Sequence, residues 1–261
     1  MPFADVNNQR IRFDDSGGDG PAVILSHGFL MDREMFAPQI EALSSEFRVI
    51  SWDERGFGET EFDGKPFTYW DSAKDCLGLL DHLGIDRAVL GGMSQGGFLS
   101  LRAALLAPER VRALVLIDTQ AGVEDPERLP AYRQMQKTWL ELGPVDQLTE
   151  TVANLIIGEP KLNELWIAKW KALDPQALAA PGDTLFERDD ITERVGEIGC
   201  PAIVFHGTAD ASIPIELGQD LCDRLPACIG LVRVEGASHA ANLTHPDEVN
   251  GPLLEFLRSL E

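Results

Sequence analysis

The sequence predicts an α/β protein with a mostly parallel central sheet, helices on both faces, and a helical insertion after the sixth strand. Three observations carry this. Short apolar runs alternate with amphipathic helical stretches up to about residue 118 and again from residue 201 onward, the pattern of parallel strands joined by helical crossovers. The runs are continuous, as in Ala22-Val23-Ile24-Leu25-Ser26, which suits strands buried on both faces. From 122 to 194 the alternation stops and no convincing strand occurs. The predicted organisation is therefore a core of residues 1–121 and 195–261, interrupted by a helical insertion at 122–194.

Taken in order, residues 3–14 predict a hairpin turning at Asn7-Asn8-Gln9, with Ile11 and Phe13 alternating in its second strand. Strand 22–26 ends in His27-Gly28-Phe29, and Phe36, Ile40 and Leu43 then share a helical face. Strand 47–52 runs into Asp53-Glu54-Arg55-Gly56-Phe57-Gly58, a glycine-punctuated loop in which Asp53 and Arg55 read as a structural ion pair or turn. Ala73, Cys76, Leu77, Leu80 and Leu83 mark a helix closed by Gly84. A fifth strand follows at 87–91, a helix at 97–107 stopped by Pro108, and a sixth strand at 111–118.

In the insertion, three helical faces are expected: Tyr132, Met135, Trp139 and Leu142; Leu148, Val152 and Leu155; Leu162, Leu165, Trp166 and Leu173. Pro144, Pro160, Pro175 and Pro181 punctuate them. Afterwards come strand 201–206, helix 213–224, strand 229–234 and a last helix from Pro246 that buries Val249, Leu253, Phe256, Leu257 and Leu260.

Composition narrows the function. A chain of 261 residues can bury a large core. Its formal charge of -21 argues against nucleic acid and anionic membrane surfaces as partners, since both need a basic face. The N-terminal residues lack a basic stretch followed by an apolar one, and no apolar run reaches membrane-span length, so a cytoplasmic location is expected. The cysteines Cys76, Cys200, Cys222 and Cys228 have no C-x-x-C spacing, which disfavours zinc. Cys222 and Cys228 could lie close together, but reduced thiols are the expectation for all four.

Chemistry concentrates at Gly92-Met93-Ser94-Gln95-Gly96, with an apolar strand before it and a helix after it. This is the context in which G-x-S-x-G raises a serine on a strained turn. A serine hydroxyl needs a base, and the base needs an orienting acid; both must come from strand ends on the same sheet edge. His239, in Gly236-Ala237-Ser238-His239 after the last strand, is the predicted base. His245 at a helix start reads as a cap, His82 as solvent-facing or structural, and His27 and His206 as turn-shaping residues before glycines. Asp210, in Gly207-Thr208-Ala209-Asp210, is the favoured acid; Asp118 at the end of the sixth strand is its rival, and chain order does not separate the two. An oxyanion site would use the backbone N–H groups of Gln95 and Phe29. No metal-ligand pattern, phosphate loop or dinucleotide fingerprint occurs, so no cofactor is required.

These pieces together resemble the α/β-hydrolase family over essentially the whole chain. The resemblance implies a Ser94, Asp210 and His239 triad, an oxyanion hole of Phe29 and Gln95, and a lid at 122–194. Within the family the chain looks most like small bacterial esterases, enol-lactone hydrolases and cofactor-free haloperoxidases. Epoxide hydrolases and haloalkane dehalogenases share the Asp-x-Arg-Gly loop but carry aspartate where this chain has Ser94. The expected activity is hydrolysis of a small-molecule carboxylic ester or lactone. Carbon–carbon bond hydrolysis of a diketone and perhydrolysis are the alternatives, and a receptor-like slow hydrolase is a further one. Trp139, Trp166 and Trp170 sit at helical spacing in the insertion and either pack it onto the core or wall a pocket; Trp139 and Trp166 are the pocket candidates. A homo-oligomer is compatible with the sequence, which does not specify one.

Overall fold

The hairpin turn is drawn by Asn7 and Asn8, which both occupy the left-handed region that a two-residue turn of this kind requires. In the computed structural model, which describes residues 2–260, that turn joins β1 (Phe3–Val6) to β2 (Gln9–Asp15). The remaining strands are β3 (Ala22–Ser26), β4 (Arg48–Trp52), β5 (Ala88–Met93), β6 (Val111–Ile117), β7 (Ala202–Gly207) and β8 (Cys228–Val234). They form one sheet in the order β1-β2-β4-β3-β5-β6-β7-β8. β1, β2 and β4 pair antiparallel, and every pair from β4 to β8 is parallel. The predicted α/β class and mostly parallel sheet are therefore what the chain adopts.

Helices clad both faces, and strand parity decides which side chains meet them. On one face Val23, Leu25, Val49 and Val115 pack with α1 (Ala37–Leu43) and α10 (Pro246–Arg258), through Leu43, Val249, Leu253 and Phe256. On the other, Ile24, Ile50, Leu90 and Leu116 pack with α2 (Tyr69–His82), α3 (Gln95–Leu106) and α8 (Ile215–Arg224), through Ala73, Leu80, Leu99 and Leu221. A short helix, α9 (Ala241–Thr244), precedes α10.

Between β6 and β7 the chain forms α4 (Leu129–Leu142), α5 (Asp146–Ile156), α6 (Pro160–Ala172) and α7 (Ala179–Phe186). The expected faces hold only in part. Leu142, Leu165 and Leu173 are exposed, while Trp139, Leu148, Val152, Trp166 and Trp170 are buried. Leu142 and Leu173 lie at helix ends, whereas Leu165 sits mid-helix, about 100° round from Trp166 on α6 and off the face that Trp166 and Trp170 bury. Among the described residues no helix is long and apolar enough to cross a membrane.

Two further expectations need correction. Cys222 and Cys228 form a disulfide, with Cα atoms 5.5 Å apart, and only Cys76 and Cys200 are free; the end of α8 and the start of β8 bring the two together. Asp53 and Arg55 are both ion-paired, but not to each other. Arg55 pairs with Asp75 of α2. Asp53, fully buried, accepts from the backbone N–H of Arg33 at 2.8 Å, from Arg33 Nη1 at 2.7 Å and from the N–H of Glu59 at 2.9 Å. Arg33 also reaches Asp14 and Glu59.

Removing the Asp53 carboxylate strips a buried guanidinium of its one buried partner. Because Arg33 keeps Asp14 and Glu59, Asp53→Ala is expected to cost about 3 kcal/mol, the low end for breaking a buried pair, read as a lower urea midpoint with an unchanged denaturant slope.

Candidate active site

Ser94 lies between β5 and α3 with φ 52 and ψ -114. Such a conformation is costly for a non-glycine residue and persists only where its surroundings over-determine it. Here they do. The Ser94 N–H donates to Ile117 O at 2.9 Å, and Thr119 Oγ1 donates to Ser94 O at 2.8 Å. A β-carbon on Gly92 would run into the backbone of Gly96, and one on Gly96 into the backbone carbonyl of Ser26. The glycines predicted around Ser94 are thus demanded by close approach of α3 to β3 and β5. Gln95 opens α3, where first-turn N–H groups have no intrahelical acceptor and favour negative charge.

Behind Gln95 stands a buried chain that the sequence did not suggest. Tyr69 donates to Gln95 Oε1 at 3.2 Å, and Gln95 Nε2 donates to Glu54 Oε2 at 3.0 Å. Burial, with the nearby Asp75 and Asp53 charges, pushes the Glu54 carboxyl well above its usual range. His27 has the turn-shaping place expected of it: Nδ1 pairs with Gly28 O at 2.8 Å and Nε2 accepts from the Glu54 N–H at 2.9 Å.

The ends of β6, β7 and β8 bring the titratable groups together. His239 Nδ1 lies 2.7 Å from Asp210 Oδ2. Asp210 is further oriented by the N–H groups of Ser212 at 2.8 Å and Ile213 at 3.0 Å. Burial opposes charge on both partners, but each outweighs it for the other. The His239 imidazole is raised above its ordinary value by Asp210, and Asp210, beside His239 and His206, is held far below the carboxylate range. His206 does more than shape a turn: its Nε2 lies 2.8 Å from Ile213 O and 3.3 Å from Asp210 Oδ2.

Asp118, the rival acid, occupies a different place. It is fully buried and left-handed (φ 46), and it accepts from the N–H of Gly207 at 2.7 Å and of Ala241 at 3.0 Å. Its carboxylate therefore ties the segments that carry Asp210 and His239 to the end of β6. Burial pushes its carboxyl up to about 7. Asp118, His206 and Asp210 present ligand atoms within 4.8 Å of one another; the two carboxylates already accept from backbone N–H groups, while His206 Nδ1 is buried without a partner. His245 opens α10 as expected, yet its ring pairs with Thr244 Oγ1 at 2.9 Å and caps no backbone group.

Ser94 and His239 face one cavity of about 120 Å³, together with Phe29, Phe98, Tyr132 and Trp139. Trp166 does not line it. One turn before Trp170 on α6, it shares the core-facing side of that helix, with its ring under Lys169 Nζ at 4.3 Å. Trp170 anchors the insertion instead, donating from Nε1 to Leu30 O at 2.5 Å. Lys169 adds contacts of 2.7 Å to Asp32 and to Glu34.

The alpha/beta hydrolase fold family model matches residues 21–246. A putative carbamate hydrolase RutD of Rhizobium rhizogenes is 30% identical, over 92% of this chain and 94% of its own. Among solved structures, a thermophilic esterase from Thermogutta terrifontis superposes with a TM-score of 0.88 at 31% identity, covering 97% of this chain and 94% of that one. The enol-lactonase from Burkholderia xenovorans LB400 gives a TM-score of 0.88 at 28% identity, covering 98% of this chain and all of that one (100%).

The His239–Asp210 contact can be tested without reference to turnover. In an NMR titration the His239 imidazole should lose its proton above the ordinary value of about 6.5. In Asp210→Asn its apparent pKa should fall, because the carboxylate that favours imidazolium is gone while the burial remains. An unmoved titration would mean that the contact does not form in solution.

Proposed function

The chain belongs to the alpha/beta hydrolase family, and from that premise we propose that it hydrolyses a carboxylic ester or lactone through an acyl-enzyme on Ser94. The observation that carries the proposal is the sharing of one cavity by Ser94 and His239, with Asp210 2.7 Å behind the imidazole. The named activities of the esterase and enol-lactonase that it resembles point the same way.

In this reading His239 takes the Ser94 proton as the oxygen attacks the carbonyl carbon. Asp210 fixes the imidazole tautomer and favours the imidazolium that forms. The developing oxyanion is received by the N–H groups of Phe29 and Gln95, at the end of β3 and the first turn of α3. His239 then returns the proton to the leaving alkoxide, and a water activated by the same ring releases the acid. The Tyr69–Gln95–Glu54 chain holds the second donor in place, and Asp118 keeps the acid and base segments in register. Residues 122–194 act as a lid: Tyr132, Trp139 and Val152 close the cavity with apolar surface, which excludes bulk water and selects an apolar acyl or alkoxy group.

Acid release followed by pH-stat tests the proposal, on a panel of open-chain esters, γ- and δ-lactones and a vinylogous diketone. Ser94→Ala should lower kcat/KM by more than about 10³-fold while leaving thermal unfolding essentially unchanged. A mutant with near wild-type rate would sink the assignment, and activity on the diketone alone would move it to carbon–carbon hydrolysis.

A further inference from the structure

The cavity wall holds one carboxylate. Apart from Ser94, Gln136, Ser212 and His239, every other lining residue is apolar or aromatic except Glu124, and no Lys or Arg is among them. Glu124 lies in the segment after β6, where the insertion begins. Its side chain is 13% exposed, and its Oε2 lies 3.7 Å from Nη2 of Arg188, beyond hydrogen-bonding distance. Arg188 is the cation paired with it, through this one long contact.

Arg188 stands behind Glu124. Its side chain is 1% exposed. Nε donates to Gly122 O at 3.0 Å and Nη1 to Leu185 O at 2.7 Å, and the guanidinium lies 4.5 Å over the Phe98 ring. Nη2, also buried, has no hydrogen-bond acceptor. The guanidinium is thus held rigidly behind the wall by its other donors, while its remaining donor points toward Glu124 without closing on it. It offsets a charge that would otherwise be costly beside an apolar cavity. One long contact with Arg188 takes only part of the acceptor capacity of a carboxylate, and Glu124 is on the cavity.

We propose that Glu124, backed by Arg188, is a specificity residue that favours substrates presenting a hydrogen-bond donor, a hydroxyl or an ammonium, away from the scissile bond, and that it rejects substrates carrying a carboxylate there. The inference rests on the ester or lactone reading of the same site and adds a substrate class to it: an apolar frame ending in a donor. A donor fills the remaining acceptor positions. An anion would meet Glu124 directly, find no cation on the wall, and approach a protein whose formal charge is already -21.

The test uses two ester series on a common frame, varied at the far end of the acyl part in one and of the alkoxy part in the other, ending in methyl, hydroxymethyl, aminomethyl or carboxylate. In at least one series the wild-type protein should prefer the hydroxymethyl over the carboxylate ester by about 100-fold in kcat/KM. Glu124→Gln should shrink that ratio by roughly tenfold, chiefly by improving the carboxylate ester. Equal wild-type turnover of donor and carboxylate esters in both series overturns the proposal, whether or not the variant folds. So does a variant that slows all four esters by one common factor, the signature of a structural pair. Ser94-independent turnover, or none even of the methyl esters, overturns the hydrolase reading itself and this inference with it.

Discussion

A β-carbon at Gly92 or Gly96 has nowhere to go. α3 starts so close to β5 and β3 that backbone meets backbone at both positions, and this approach holds Ser94 at a φ of 52. The strain there is supported by ordinary packing: Ser94 is bonded to β6 through Ile117 and Thr119, and the first turns of α3 are buried among the strands. Loosening the contact would let the serine relax into a common backbone region and turn its hydroxyl away from the sheet edge. The elbow also sets which edge the other candidate site residues share, because the parallel strands β3 to β8 all end on that side.

Around that edge the protein concentrates charge that burial alone would suppress. The side chains of Asp118, Asp210, His206 and His239 lie together with little access to water, and each is tolerable because the others or backbone amides answer it. The two acids divide the work by position. Asp210 faces the imidazole and stays ionised; Asp118 spends its oxygens on Gly207 and Ala241 and is shifted the opposite way. Two carboxylates at neighbouring strand ends thus acquire opposite electrostatic characters: burial dominates at Asp118, while the charge and hydrogen bonds of His239 and His206 overcome it at Asp210.

Much of this was legible in the chain. Continuous apolar runs mark buried strands, and the residues just beyond them, Ser94, Asp210 and His239, fall on one edge because parallel strands all end there. Less legible were contacts that depend on which of two plausible faces packs. Trp139 and Trp166 both sit on amphipathic helices, yet only Trp139 reaches the cavity, because the face of α6 that carries Trp166 is set by Trp170 seeking Leu30 O. Asp53 and Arg55 looked like a pair because they are close in sequence, whereas the loop points them to Arg33 and Asp75. Glu124, Arg188 and the Tyr69–Gln95–Glu54 chain join residues far apart in sequence, and no local pattern announces them. The Cys222–Cys228 bridge needed the turn between α8 and β8 to be known first.

Leu30 follows the oxyanion candidate Phe29 and sits in the left-handed region at φ 62, its carbonyl taken by Trp170 of the insertion. Asp32 and Glu34, a few residues on, are held by Lys169 from the same helix. The segment after β3 is therefore shaped partly by a helix more than a hundred residues away. Any fluctuation that lifts α6 removes a constraint on a strained residue next to the site, so local melting of the outermost layer and loss of backbone preorganisation at the floor become one cooperative event. Warmth would then erode the site's geometry before it reaches the sheet, and the temperature at which α6 frays would set the working ceiling of the whole molecule.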